Sequence, residues 1–305
     1  MIVLAFIGAL HLMFIWSGDI LLLYALLGML LPFFRKLSDR ILLTVASVLL
    51  FVPIVIDFLC EATQTDLSAP VVQMQQMFCA RFGITDDNFA YWLRDASSYK
   101  EVFQFLIQGA LVRIQEFIDG NRYFKVLGLF IIGFIIGRQH LYARIEEKRM
   151  WLKKVFGAGI LVGVPVSVLY AYSAMNSHPW GLAVHSLLYF FGVYPMAFAY
   201  ISGICLLLLK NPDLTVFHRF AAPGRMALTN YIGQSVIGIL LFYGIGLGLG
   251  AGIGLGLVVL IAAGVWILQA IISRVWLHNC QFGILEWIWR MLTYDKVFRL
   301  TKKRN

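Results

Sequence analysis

His11 and Asp19 are the residues of this 305-residue chain whose types and spacing could do chemistry where water is scarce. They stand two helical turns apart at the start of the chain, on either side of Trp16-Ser17-Gly18. An imidazole exchanges a proton near neutral pH, and a carboxylate that orients it completes a general-base pair. An acid at membrane depth is costly unless paired, and by default marks a functional site. A plainer reading stands beside this one: His11 as a hydrogen bond between helices, and Asp19 as the N-cap of the second helix. The other polar residues inside apolar runs are His185, Asn230, Tyr231, Gln234, Ser235 and Gln269. Asn230, Gln234 and Ser235 share a helix face at i, i+4 and i+5, either bonding across helices or lining a polar cavity. His178 and His218 read as solvated. No CxxC or paired-histidine spacing supports a metal.

The elements that must position these residues follow from composition. Hydrophobic residues make up 60% of the chain and charged residues 13%, about half the usual charged share of a soluble domain. Mean hydropathy is +0.80. A soluble globular fold and a disordered chain are both excluded. Long unbroken apolar runs exclude an outer-membrane barrel, whose strands alternate. The expectation is an all-α, polytopic transmembrane helical bundle of about eight spans. They read as 1–16, 19–34, 41–58, 123–138, 155–173, 181–209, 228–245 and 251–275.

The net charge of +9 does not indicate nucleic acid, because Lys and Arg crowd into the connections at 35–40, 138–154 and 209–227 and into the tail from Arg274. The alternate connections at 17–18, 174–180 and 246–250 hold none. The positive-inside rule then puts both termini in the cytoplasm. The start carries no basic n-region or cleavage site of a signal peptide. Residues 1–305 read as a single integral membrane domain, with 59–122 as an extracytoplasmic cap. Within that cap, Val102, Phe103, Leu106, Ala110, Ile114 and Phe117 form a one-sided helix, either lying at the interface or re-entering to close a cavity. Cys60 and Cys79 share the segment, so a disulfide is open to them. The glycine-rich stretch Gly244–Gly256 lacks the Lys-Ser/Thr of a phosphate loop and reads as close helix packing with a tight outer turn.

Several strings together carry a family resemblance. They are Gly8-Ala9-Leu10-His11, Gly18-Asp19-Ile20-Leu21 and Tyr24-Ala25-Leu26-Leu27-Gly28 near the start. Near the end come Gly224-Arg225-Met226-Ala227-Leu228-Thr229-Asn230-Tyr231, Gln234-Ser235 and Phe282-Gly283-Ile284-Leu285-Glu286-Trp287. The chain resembles the YeiB-type family of bacterial inner-membrane proteins, whose domain has no assigned function. Members usually begin with further spans, which this chain does not show, and have proline where this chain has Ile284. The family is remotely similar to transmembrane acyltransferases. That likeness implies a bacterial inner-membrane enzyme with acyl-CoA as co-substrate and an acceptor in the envelope or outside the cytoplasm. His11 would be the base and Asp19 its orienter. Arg225 would meet CoA phosphates, and Asn230 and Gln234 would line the tunnel. The rival expectations are a transporter of a small polar solute and a non-catalytic assembly protein using Glu286, Trp287, Arg290 and Tyr294 as a docking helix. The expected surroundings are membrane lipid and no nucleic acid, with a homo-oligomer left open.

Overall fold

The computed structural model describes residues 1–212 and 215–302, without the side chains of 215–218. His218 is therefore outside the described side chains, and Lys303 and Arg304 lie outside the described residues. Among the described residues the chain is helical, apart from an isolated bridge between Cys280 and Thr301. All eight apolar runs form helices. In chain order the helices are α1 Ile2–Phe14, α2 Leu21–Gly28, α3 Leu31–Phe34, α4 Asp39–Thr63, α5 Ala69–Phe82, α6 Phe89–Asp95 and α7 Tyr99–Asp119. They continue with α8 Arg122–Arg138, α9 Arg149–Met175, α10 Leu182–Lys210, α11 Thr215–Arg225, α12 Ala227–Phe242, α13 Leu255–Asn279 and α14 Ile284–Tyr294.

Helices α4, α9, α10 and α13 are long and apolar enough to cross a bilayer, and α7 with α8 makes a fifth if that bent pair is one span. The apolar helices α1 and α12 have 13 and 16 residues, or about 20 and 24 Å of rise. The second apolar run breaks into α2 and α3. The burial pattern is that of a protein in lipid. Leu161, Val168, Leu260 and Val275 are among the most exposed side chains, while Ser173, Ser202, Gln269 and Ser273 are buried.

The chain divides into two compact units. One comprises 27–69 and 116–214. Its core is Leu42 and Ala46 of α4 against Ile131 and Ile135 of α8, pairs one helical turn apart that present a single face. Glycines set how closely α9 meets α10. A Cβ on Gly159 would lie 2.5 Å from the Pro195 carbonyl oxygen, and one on Gly163 would lie 2.6 Å from Met196 Cγ. This small-xxx-small spacing lets backbones approach where lipid supplies no hydrophobic drive. Several polar groups inside the unit are paired, although the buried Tyr194 hydroxyl has no partner. Asp57 accepts from Asn121 Nδ2 at 2.9 Å and from the Ser186 hydroxyl. His185 Nδ1 lies 3.0 Å from Ser173 Oγ. His178, expected in solvent, is half-buried with its ring centroid 4.2 Å from that of His185. The two rings meet edge to face at 66°, next to a left-handed backbone at Ser177 and His178.

The other unit comprises 1–26, 70–115 and 215–305, so the two ends of the chain meet within it. Its core joins Ala96, Val102, Leu106 and Tyr243. The apolar stripe foreseen on α7 thus packs inside the protein at Val102 and Leu106, both fully buried. The Gly244 turn packs as the glycine reading anticipates. Gly244 N–H donates to the Leu93 carbonyl at 2.9 Å, and a Cβ there would lie 2.5 Å from the Ala96 carbonyl oxygen. Cys60 and Cys79, the candidates for a disulfide, fall in different units and are both free thiols. Cys79 Sγ instead points at Gln108 Oε1, 3.8 Å away, and burial raises the pKa of its thiol.

Candidate functional site

The site lies wholly within the unit formed by the chain ends. Helix α1 buries Gly8, His11 and Leu12 along one stripe. Gly8 gives α2 room: a Cβ there would lie 2.5 Å from Leu22 N and 2.9 Å from Leu22 Cα. The chain turns at Trp16–Gly18 and re-enters as α2, with Asp19 just before the helix. Asp19 Oδ2 accepts the Leu22 N–H at 2.7 Å, an N-cap bond that fixes the carboxylate. Its other oxygen, Oδ1, meets His11 Nδ1 at 2.9 Å. Histidine and aspartate are each 1% exposed. The capping reading of Asp19 is therefore met by one oxygen, and the other oxygen holds the His11 ring.

The far side of the imidazole meets a residue that spacing does not connect to it. His11 Nε2 lies 2.9 Å from Ser235 Oγ on α12. With Asp19 accepting at Nδ1, the neutral tautomer of the ring leaves Nε2 to accept the Ser235 hydroxyl proton. One turn earlier on α12, the Tyr231 ring packs on His11 with centroids 5.0 Å apart. The Tyr231 hydroxyl oxygen accepts the Ile20 N–H at 3.3 Å.

Helix α7 holds the turn from behind. Arg113 Nε donates to the Asp19 carbonyl at 2.9 Å, and its Nη2 donates to the Gly18 carbonyl. One turn earlier, Gly109 makes room for Ser17, whose Oγ would be 2.5 Å from a Cβ at that position. The Tyr99 hydroxyl donates to the Phe14 carbonyl at 2.6 Å at the end of α1. Backbone carbonyls exposed by a non-helical turn need such partners at membrane depth.

Asn230 and Gln234 do not share a face with Ser235 in the way their spacing suggests. They turn toward α13. Asn230 Nδ2 donates to Ser273 Oγ at 3.0 Å, and Gln234 Nε2 donates to Gln269 Oε1 at 2.8 Å. Gln269 Nε2 returns a bond to the Asn230 carbonyl at 3.0 Å. The physical reason is the 100° step per residue: Tyr231 and Ser235 form one row, Asn230 and Gln234 the next. Asn230 and Gln234 line a hollow of about 190 Å³ with Trp266 and Gln269. On the other side of Tyr231 lies a larger groove of about 700 Å³, walled by Tyr24, Arg225, Tyr231, Phe282, Trp289 and Arg290. Arg225 is exposed and donates from Nη2 to the Gln281 carbonyl at 3.0 Å. The Trp289 indole N–H is buried in that wall without a partner.

Glu286 positions α12. Its Oε1 accepts the Thr229 N–H at 3.0 Å and its Oε2 accepts the Thr229 hydroxyl at 2.5 Å. In return, Thr229 Oγ1 accepts the Leu285 N–H at 3.0 Å. Each helix start is thereby capped by a side chain of the other. A Cβ at Gly283 would strike the Glu286 carboxylate and approach Thr229 Oγ1 at 2.9 Å, so a side chain there would displace the capping carboxylate. Trp287 Nε1 donates to the Phe298 carbonyl at 2.6 Å. Glu286 and Trp287 thus act inside the unit, while Tyr294 stays exposed. Glu286→Ala is expected to lower unfolding stability in detergent by about 1–3 kcal/mol, with Glu286→Gln recovering part. An unchanged unfolding midpoint in Glu286→Ala would show that the reciprocal cap carries no weight.

Among the described residues no cluster of three or more His, Cys, Asp or Glu could hold a metal. The fold and site define an all-helical protein with membrane-capable spans and a buried carboxylate–imidazole–hydroxyl array. Residues 136–296 match the family model described as "Protein of unknown function (DUF418)", and the chain belongs to that family. It is 28% identical over 307 residues to "Uncharacterized protein YxaH" of Bacillus subtilis (strain 168), covering 97% of this chain and 71% of that protein. It is 35% identical over 115 residues to an uncharacterized 39.9 kDa protein of Bacillus acidopullulyticus, over 36% of this chain and 32% of that one. It is also 37% identical over 73 residues to "Uncharacterized protein YeiB" of Escherichia coli (strain K12), over 24% of this chain and 18% of that one. No solved structure gives a significant match. The YeiB-type resemblance is therefore confirmed. The matched family region contains Ser235 and Glu286; His11 and Asp19 precede it.

Proposed function

We propose that the chain is an integral-membrane acyltransferase that moves an acyl group from acyl-CoA to a hydroxyl or amine acceptor of the envelope. The observation that carries this reading is His11 held between Asp19 and a hydroxyl, buried, with one nitrogen committed to the carboxylate and the other open to a proton. A base so oriented can take the proton from an attacking group as the thioester carbonyl is attacked. It then returns that proton to the leaving thiolate.

The groove beside Tyr231 suits the donor. Arg225 and Arg290 at its wall would meet phosphates through charge-assisted bonds, and its aromatic wall would cover the apolar part of the ligand. Asn230 and Gln234 give the adjoining hollow a polar wall suited to amide or hydroxyl groups. In the bacterial inner membrane, eight crossings with both termini cytoplasmic would open the Arg225 end to the compartment that holds acyl-CoA. That arrangement leaves 59–122 outside as a cap.

The test is binding and turnover with purified protein. Acyl-CoA at a hundred times its Kd should stabilise the fold by about 2.7 kcal/mol, read as a raised melting temperature. Radiolabelled acyl groups should leave the thioester in wild type and stay on it in His11→Ala. No thermal shift and no loss of thioester with acyl-CoA of any chain length would overturn the acyl-CoA reading.

A further inference from the structure

We infer that Ser235 is the nucleophile of this site and that acyl transfer passes through an ester on its side-chain oxygen. The inference takes its donor from the reading above, but the reactivity it assigns to Ser235 does not depend on that donor.

The argument is geometric. A serine hydroxyl is a weak nucleophile until a base takes its proton, and the diagnostic arrangement is nucleophile, base and orienting group in hydrogen-bond sequence. Here the sequence is complete. Ser235 Oγ lies 2.9 Å from His11 Nε2, and His11 Nδ1 lies 2.9 Å from Asp19 Oδ1. Leu22 N–H at 2.7 Å and the Arg113 bonds to the Asp19 and Gly18 carbonyls hold the carboxylate and its turn in place. Histidine and aspartate are sealed, whereas Ser235 is half-buried, so of the three residues it is the one with appreciable exposed surface. A hydrogen bond that served only to tie α1 to α12 would need neither Asp19 on the far nitrogen nor the tautomer it imposes.

The step balances without a further reactant. Ser235 Oγ attacks the acyl carbonyl as its proton moves to His11 Nε2. The carbon–sulfur bond breaks, and the thiolate leaves with the proton from Nε2. The acceptor hydroxyl or amine then attacks the Ser235 ester, with His11 again taking the proton and returning it to Ser235 Oγ. A serine that bears the acyl group obliges two half-reactions.

The experiment uses the full chain in detergent with two reagents. A fluorophosphonate, which reports an activated serine whatever its natural substrate, should label wild-type protein at Ser235, as mapped by peptide mass. Labelling should vanish in Ser235→Ala and fall at least about 100-fold in His11→Ala. Radiolabelled acyl-CoA without acceptor should leave one acyl group per chain on the same peptide. Ser235→Cys is the second variant: its thiol should accept the acyl group and be alkylated faster than the native cysteines, which shows that the position itself is activated. Fluorophosphonate labelling with no acyl-CoA consumption would keep the nucleophile and overturn the donor. Acyl transfer that persists in folded Ser235→Ala above a tenth of the wild-type rate, with no label on Ser235, would overturn the nucleophile and leave direct transfer by His11.

Discussion

Under the proposed acyltransferase reading, Asp19→Asn is expected to keep the helices in place and to lower transfer roughly 10⁴-fold, the loss seen when an orienting aspartate becomes an amide. The geometry explains why so small a change has so large an effect. Asp19 accepts two hydrogen bonds, from His11 Nδ1 and from Leu22 N–H. An amide has a single accepting oxygen. If that oxygen keeps the Leu22 cap, its NH₂ faces His11 and favours the tautomer with a bare Nδ1 and a protonated Nε2. The nitrogen facing Ser235 can then no longer take a proton. Asp19→Ala removes both acceptors and leaves two buried donors without partners, which costs roughly 2–5 kcal/mol of stability. The pair of variants separates orientation from folding: unfolding midpoints should fall far more in alanine than in asparagine, while transfer should be lost in both. Asp19→Asn with transfer within tenfold of wild type would show that His11 needs no orienting partner.

The second large effect belongs to a residue with no functional group. Gly8→Ala adds one methyl to the middle of α1, where alanine is the better helix former by about 1 kcal/mol. On propensity alone the variant would be more stable. The structure predicts the reverse sign. That methyl would sit 2.5 Å from Leu22 N and 2.9 Å from Leu22 Cα, and backbone atoms cannot rotate away as the tip of a side chain can. The two helices must separate, at about 1–3 kcal/mol of net destabilisation. His11 shares the stripe of Gly8, and Asp19 caps the helix that Gly8 touches, so the 2.9 Å bond between them opens. A displacement near 1 Å in such an array costs on the order of 100-fold in rate. A lower melting temperature together with lost transfer is the expected result. A raised melting temperature with transfer intact would mean that α1 and α2 are not in the contact described.

How much of this was legible beforehand differs by element. All eight apolar runs are helices because an apolar run in a chain this poor in charge has one way to satisfy its backbone in lipid. The pairing of His11 with Asp19 was legible for a similar reason, since two titratable groups so near in sequence and so far from water must find each other. The face of α12 was not. Asn230, Gln234 and Ser235 looked like a set, yet one step of 100° sends the first two to Gln269 and Ser273 and the third to His11. The repeat Tyr231-x-x-x-Ser235 was the available signal, and it becomes meaningful only once α1 is known to lie against that row. Arg113 gave no signal, being one of several charged residues on the amphipathic α7.

Local forces account for what could be read from residue order: helix formation, the cap at Asp19, and the glycines at the turn near Gly244. These act over a few residues and leave a pattern of matching length. The contact between His11 and Ser235 spans 224 positions. It exists because the two ends of the chain fold into one unit, and no local periodicity encodes which distant helix will present which row. The hydroxyl beside His11 is therefore a property of packing, while the imidazole and carboxylate stand 8 positions apart in the chain.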